Sequence, residues 1–312
     1  MTNKAKIIQL WEGGLRDYQQ IAQAVGCPVH SVRARVSEAR QAAQALVIEF
    51  PLGEAPAALG EVYDQFPIYV QKEALVFGDV HTPTHNAAGI KRLCEFARLH
   101  LERPRVGFNI GDFMNGDTDS VHDPSGDEPS RRDELRLVSD VLHYMLETFD
   151  LLVLTPGNHL RKRFYKTLRA DIDPEQMVRL MTHGDDWRRI TLLNHDIVGI
   201  ESGDERWTAT HQYQYRRAKL SLADELAQRY QTNIITFHQH HSAVGRDRYD
   251  RYTIIDCGGL HDHTRMSYVH LVPSARNVPN SGFVYLKDGC GQLLTPYRTM
   301  TRWQVWGMGD VA

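Results

Sequence analysis

The chain has 312 residues, 42% hydrophobic and 24% charged, with a net charge of −3. That length buries a large core and suits one sizeable α/β domain with a small one beside it. No apolar run reaches the roughly 20 residues a membrane span needs. The first helical segment carries Gln9 and Glu12 where a signal peptide would be apolar, and Cys27, Cys94, Cys257 and Cys290 lie too far apart for a CxxC site. The expectation is a cytoplasmic protein with no membrane partner and with reduced thiols; the oligomeric state is not readable.

Residues 1–45 form the first domain. They hold six basic and three acidic side chains, a net +3 that leaves −6 on the remainder. Ile7, Ile8, Leu10 and Trp11 suit one apolar helix face. Asp17 caps a second helix, with Gln20 at the capping-box position and Tyr18, Ile21, Ala22 and Val25 at helical spacing. Gly26 ends that helix, Pro28 opens a third, and Val29, Val32 and Val36 make its buried stripe. The segment resembles a helix-turn-helix, whose last helix enters the DNA major groove. His30, Ser31, Arg33 and Arg35 are then the candidate base or phosphate contacts. A three-helix cap with solvated arginines is the plainer reading of the same pattern.

Residues 46–73, with Pro51, Gly53, Pro56, Gly60 and Pro67 among apolar stretches, read as a partly ordered linker. From residue 74 to 312 runs the larger domain, in which five apolar, strand-like runs each end in a polar motif. Val76-Phe77-Gly78 leads to Asp79-x-His81, and Val106 to Gly111 leads to Asp112 with Asn115 beyond it. Leu151 to Thr155 leads to Gly157-Asn158-His159, Trp207 to Thr210 leads to His211, and Ile234 to Phe237 leads to His238-x-His240. A polar insertion, Phe113 to Arg132, follows the second motif, Leu135 to Phe149 is helical, and Gly282 to Tyr297 closes as a β-hairpin. His183 competes with His211 as the fourth motif, but it lies in a helical, Arg-rich stretch, whereas His211 follows a strand.

Any one of these residues also reads as a buried group satisfied by hydrogen bonds, in a chain with 16 histidines. The ordered set is harder to obtain by chance. Carboxylate, amide and imidazole donors without thiolate suit Mn, Fe or Zn at a catalytic site. Two ions sharing a carboxylate and a water make that water ionise near neutral pH.

Over residues 74–260 the series resembles the calcineurin-like metallophosphoesterases, whose pattern runs D-x-H, G-D-x-x-(D/N), G-N-H-(D/E), H, G-H-x-H. The resemblance implies an α/β fold of the αββα sandwich type, two central mixed sheets flanked by helices. It implies two divalent ions, Mn first with Fe, Zn or Ni as alternatives. Asp79, His81, Asp112 and His240 would hold one ion and Asp112, Asn158, His211 and His238 the other, with Asp112 bridging. His159 would stabilise charge on the phosphate and protonate the leaving oxygen. Asn115, Arg161 and Arg163 would touch substrate, with Tyr213, Arg216 and Arg217 near the same cleft.

Two departures stand out. Leu160 occupies the place of the acid that would orient His159, so either another acid, Asp117 or Asp119, takes over or His159 is less well activated; Phe237 replaces the glycine before His-x-His, and Gln212 the glycine after His211. The favoured function is hydrolysis of DNA phosphodiesters by a dinuclear-metal enzyme, a nuclease in type. The alternatives are a phosphomonoesterase acting on nucleotides or phosphoproteins, and a DNA-binding regulator with an inactive phosphoesterase body. A small helix-turn-helix joined to a compact phosphoesterase also resembles gene products of tailed bacteriophages, which would place the protein in the host cytoplasm.

Overall fold

The computed structural model describes residues 2–44, 66–116, 129–165, 172–265, 281–296 and 303–306, and the chain divides into two compact units, Met1–Glu61 and Val62–Ala312. In the first, three helices, α1 (Asn3–Glu12), α2 (Tyr18–Val25) and α3 (Val29–Gln44), surround a core of Ile7, Ile21, Ala22, Val32 and Val36. Asp17 caps α2 by accepting from the main-chain N–H of Gln19 (2.7 Å) and Gln20 (3.3 Å). Gly26 ends α2 at φ 68°, a left-handed conformation that glycine adopts without strain.

The second unit contains two mixed sheets. One runs β1 (Ile68–Val70), β6 (Ile197–Ser202), β7 (Glu205–Thr210), β8 (Asn233–Thr236), β10 (Thr253–Cys257), β9 (Ser242–Arg246). The other runs β13 (Trp303–Trp306), β12 (Cys290–Pro296), β11 (Phe283–Lys287), β2 (Glu73–Phe77), β3 (Val106–Ile110), β4 (Leu151–Thr155), β5 (Ile190–Leu192). Period-two alternation splits each central strand between two cores. Ala74 and Val76 of β2 face Ile200, Trp207 and Ile255 of the opposite sheet, while Leu75 and Phe77 pack with α4 (Ala87–His100) and α5 (Arg131–Leu146). Met177 and Val178 of α6 (Pro174–Leu180) join that outer cluster. On the far side α7 (Ser221–Tyr230) covers Ile234 and Ile254. Helices, sheet, sheet and helix make the expected αββα sandwich.

Part of the stretch read as linker is a strand. Ile68–Val70 pairs in parallel with Gly199–Glu201 and so belongs to the first sheet; residues 46–65 lie outside the described residues. The closing hairpin is present as β11 and β12. Among the described residues no helix is long and apolar enough to cross a membrane.

The turn between β9 and β10 is organised by one buried carboxylate. Asp247 accepts from the main-chain N–H of Arg251 (2.6 Å), Tyr252 (2.7 Å) and Tyr249 (3.3 Å) and from Nε2 of Gln228 on α7 (2.7 Å). Burial alone would raise its pKa, but these donors, led by Tyr252 N–H, bring it down to about 2. A depressed carboxylate stabilises the fold above the ordinary value of about 4 and loses that contribution as pH falls toward 2. Asp247→Ala is expected to cost about 1–3 kcal/mol at neutral pH. In urea melts the gap from wild type should narrow between pH 4 and pH 2.

Candidate metal centre

Every motif residue sits where a strand gives way to a loop, and the loops of both sheets meet. Asp79 and His81 follow β2, Asp112 follows β3, and Gly157–His159 is a single helical turn after β4. From the other sheet, His211 follows β7, and His238 and His240 follow β8. Main-chain bonds tie neighbouring loops: Asp79 N–H to Gly111 O (3.1 Å), His81 N–H to Asp112 O (2.9 Å), Phe237 N–H to Thr210 O (3.2 Å). Among the described residues nine non-glycine positions have positive φ, and five are Asp79, His81, Asp112, His238 and His240. Each such conformation costs on the order of 1 kcal/mol or more and persists only where its surroundings enforce it.

Two glycines make the approach possible. A Cβ on Gly111 would overlap the His211 ring, and one on Gly157 would overlap the Asp112 carboxylate and main-chain nitrogen. The glycines of the second and third motifs are therefore clearances for the neighbouring motifs' side chains.

Asp79 and Asp112 are 0% and 1% exposed. Asp79 Oδ2 accepts from His238 N–H (2.8 Å), while Oδ1 lies 3.1 Å from His211 Nε2, 3.4 Å from His240 Nε2 and 3.5 Å from His81 Nε2. Asp112 Oδ1 accepts from His159 N–H (2.9 Å); Oδ2 lies 3.2 Å from His211 Nε2 and 3.6 Å from His159 Nε2 without a hydrogen bond to either. His81 and His240 meet Nε2 to Nε2 at 3.3 Å. Burial alone would raise both carboxylates, but the imidazoles, led by His240 for Asp79 and His159 for Asp112, hold both far below the usual range. Burial likewise opposes charge on His211, and Asp112 and then Asp79 overcome it, raising the imidazole to about 10. Burial and the neighbouring His211 lower His238 to about 4.

Among the described residues three groups have donor atoms close enough to share a cation: His81, His240 and His261; His81, Asp112 and His159; Asp112, His211 and His238. The last contains three of the four ligands expected for the second ion. Its fourth, Asn158, has a buried Oδ1 with no hydrogen-bond partner among the described residues. His183 instead pairs with Asp140 at the surface (2.9 Å).

Three features were not foreseen. The main-chain carbonyl of Asn115 accepts from His159 Nδ1 (2.6 Å), filling the role that Leu160 cannot, while Leu160 itself is buried in the outer core. The Asn115 side chain, expected to touch substrate, engages His81 Nδ1 (3.1 Å). Asp196 braces the third and fourth motifs. It accepts from Gly157 N–H (2.8 Å), Arg161 Nε (2.6 Å) and Tyr213 Oη (2.5 Å), and its carbonyl accepts from His211 N–H (2.9 Å). Arg161 also donates to Asn194 O, so two of its nitrogens are engaged within the protein. Neither Asn115 O nor Asp196 left a motif signal; His261, the third, did, since it follows β10 as the motif histidines follow their strands. The side chain of Arg163, together with Asp117, Asp119, Lys166 and Arg169, lies outside the described residues.

In the three-helix unit, His30, Arg33 and Arg35 are exposed and Ser31 is half-buried. Arg35 Nη1 contacts both carboxylate oxygens of Glu38 (2.9 and 2.8 Å), and the Arg33 guanidinium lies 6.0 Å from the Tyr18 ring centre.

No family model and no curated protein matches the sequence. Among solved structures the chain is similar to a Vps29 single mutant from Entamoeba histolytica, at 12% identity and TM-score 0.41, over 76% of this chain and 99% of that one. It is also similar to vacuolar protein sorting 29 from Cryptosporidium parvum (10%, TM-score 0.42, 77% and 98%). A third is an uncharacterised predicted phosphoesterase from Streptococcus pneumoniae (11%, TM-score 0.35, 76% and 98%). Likeness at this level assigns no chemistry.

Gly157→Ala tests the clearance. With φ at 71° and Asp112 in the way, the substitution is expected to lower the melting temperature and to weaken divalent-cation binding by displacing Asp112. Calorimetry and metal titration of the folded variant check this, and a variant indistinguishable from wild type in both would remove the steric argument.

Proposed function

We propose that the larger unit is a dinuclear metal-dependent phosphoesterase, and that its substrate is a phosphodiester of DNA. The observation that carries this reading is the convergence of two buried carboxylates with five imidazoles, in which buried oxygens of Asp112 and Asn158 accept no hydrogen bond. Most buried polar atoms carry hydrogen bonds; a cation site needs donor oxygens that do not. Asp79, His81, Asp112 and His240 fit one ion and Asp112, Asn158, His211 and His238 the second, with Mn, Fe, Zn and Ni compatible with nitrogen and oxygen donors. Two ions in such a site supply a nucleophile at neutral pH and Lewis acidity toward the phosphoryl oxygens.

The protein's own part centres on His159. Its Nδ1–H is held by the Asn115 carbonyl, so the proton to be delivered is carried on Nε2, the atom facing Asp112. As the imidazolium, His159 donates that proton to the leaving oxygen. Because a carbonyl already orients the ring, Leu160 gives no reason to regard the site as inactive.

The DNA assignment rests on the basic three-helix unit read as a helix-turn-helix, with Arg33 and His30 exposed on α3 and Arg35 shared with Glu38. Lys162, exposed beside His159's turn with its Nζ 4.6 Å from the Tyr213 ring centre, adds positive charge near the site.

With Mn2+ the protein is expected to hydrolyse bis(4-nitrophenyl) phosphate faster than 4-nitrophenyl phosphate, and to cleave DNA. EDTA should abolish all three activities. Faster turnover of the monoester would make it a phosphomonoesterase. No turnover with Mn, Fe, Zn or Ni would leave a DNA-binding regulator. His159→Ala should lower kcat on the order of 100-fold with metal content retained; loss of metal in that variant would make His159 a ligand.

Replacing Arg33 and Arg35 by Ala is expected to weaken DNA binding and to reduce its salt dependence by about one ion for each phosphate no longer neutralised. Unchanged affinity across several salt concentrations would make the three-helix unit a structural or protein-docking cap.

A further inference from the structure

His261 stands outside the expected ligand set, yet it is built into the same place. It follows β10 after Gly258, Gly259 and Leu260, and only 2% of its surface is exposed. Its segment is fastened along the first motif by main-chain bonds. Leu260 N–H reaches Gly78 O and Asp79 O (3.1 Å each), Asn86 N–H reaches Leu260 O (2.7 Å), and Asp262 N–H reaches Thr84 O (2.7 Å). Gly259 provides the clearance, since a Cβ there would stand 2.5 Å from His261 Nδ1 and 2.7 Å from Asp79 Cβ. The ring lies with its centre 4.1 Å from that of His240 and 5.5 Å from that of His81. Donor atoms of these three imidazoles all fall within 4.8 Å of one another.

Nδ1 of His261 lies 3.2 Å from the main-chain oxygen of Asp79. An N–H there donates to the carbonyl and leaves Nε2 with a free lone pair, as Asn115 Oδ1 does for His81. Ligating histidines are held in this way, with the outer nitrogen tied to an oxygen and the inner one free for the cation.

We propose that His261 is an additional metal ligand, joining His81 and His240 in a three-imidazole set for the ion beside Asp79, a step that rests on the dinuclear reading above. The extra nitrogen shifts that half of the centre toward Zn2+, Fe2+, Co2+ or Ni2+ and away from Mg2+. The other half, with Asp112, Asn158, His211 and His238, keeps equal numbers of oxygen and nitrogen donors.

The test is Co2+ and Zn2+ titration of the full-length, metal-stripped protein and of His261→Gln, with the Co2+ visible absorption recorded. Glutamine keeps an N–H for the Asp79 carbonyl but has no imidazole nitrogen, so it preserves a purely hydrogen-bonding role. The wild type is expected to bind two ions, and His261→Gln to bind one of them on the order of 10- to 100-fold more weakly with an altered Co2+ spectrum. Unchanged affinity and spectrum would make His261 a hydrogen-bond donor only, with the dinuclear reading intact. A wild type that binds neither Co2+ nor Zn2+ overturns both. A crystal structure of the Zn2+-loaded wild type decides the matter even if the variant fails to fold. His261 Nε2 should lie about 2.0–2.1 Å from an ion, and separation from every ion by more than hydrogen-bonding range overturns the proposal.

Discussion

Two carboxylates buried side by side dominate this molecule. Asp79 and Asp112 share the His211 imidazole, whose Nε2 is 3.1 Å from one and 3.2 Å from the other. Removing two like charges from water costs several kcal/mol per ion unless partners compensate. Main-chain N–H groups of His238 and His159 supply part of that compensation, and the ring of imidazoles supplies the rest. The left-handed backbone at five of these residues, and the glycines at 111 and 157, are what it takes to bring the partners close enough.

The two sheets divide the labour. Asp79, His81, Asp112, Asn158 and His159 come from the sheet containing β2, β3 and β4, and His211, His238, His240 and His261 from the sheet containing β7, β8 and β10. Each of the two expected ligand sets draws on both sheets. The inter-sheet core, with Phe108, Trp207, Ile235 and Ile255 fully or nearly fully buried, sets the distance between the halves. Close packing at that interface makes the distance stiff, so the precision of the site derives from apolar residues that never touch it.

The departures from the family pattern are absorbed by local exchanges of volume and hydrogen bonds. Phe237 brings a ring to the position of a small residue, and Gly78 vacates the space, since a Cβ there would come 2.6 Å from Phe237 Cδ1. Gln212 turns back to Thr210 Oγ1 (2.8 Å). At Leu160 a polar role passes to the main-chain carbonyl of Asn115, 44 residues before His159, and the side chain joins the outer core.

The sequence alone determined the five motif-bearing strands and the closing hairpin, because apolar runs bounded by polar or turn residues read as buried strands; β1, inside the stretch read as linker, was decided by its pairing with β6. It also determined which residues end those strands, because a polar motif cannot continue an apolar run: hence Asp79, His81, Asp112, Asn158, His211, His238 and His240 were legible. His261 obeys the same rule and was missed only because it belongs to no familiar block. Tertiary structure alone decided what holds those residues in place. Asn115 O, Asp196 and the clearance at Gly259 act between segments far apart in the chain, and no local spacing encodes such a contact. Their partners are chosen by where two sheets bring loop ends together, which depends on the packed core between them.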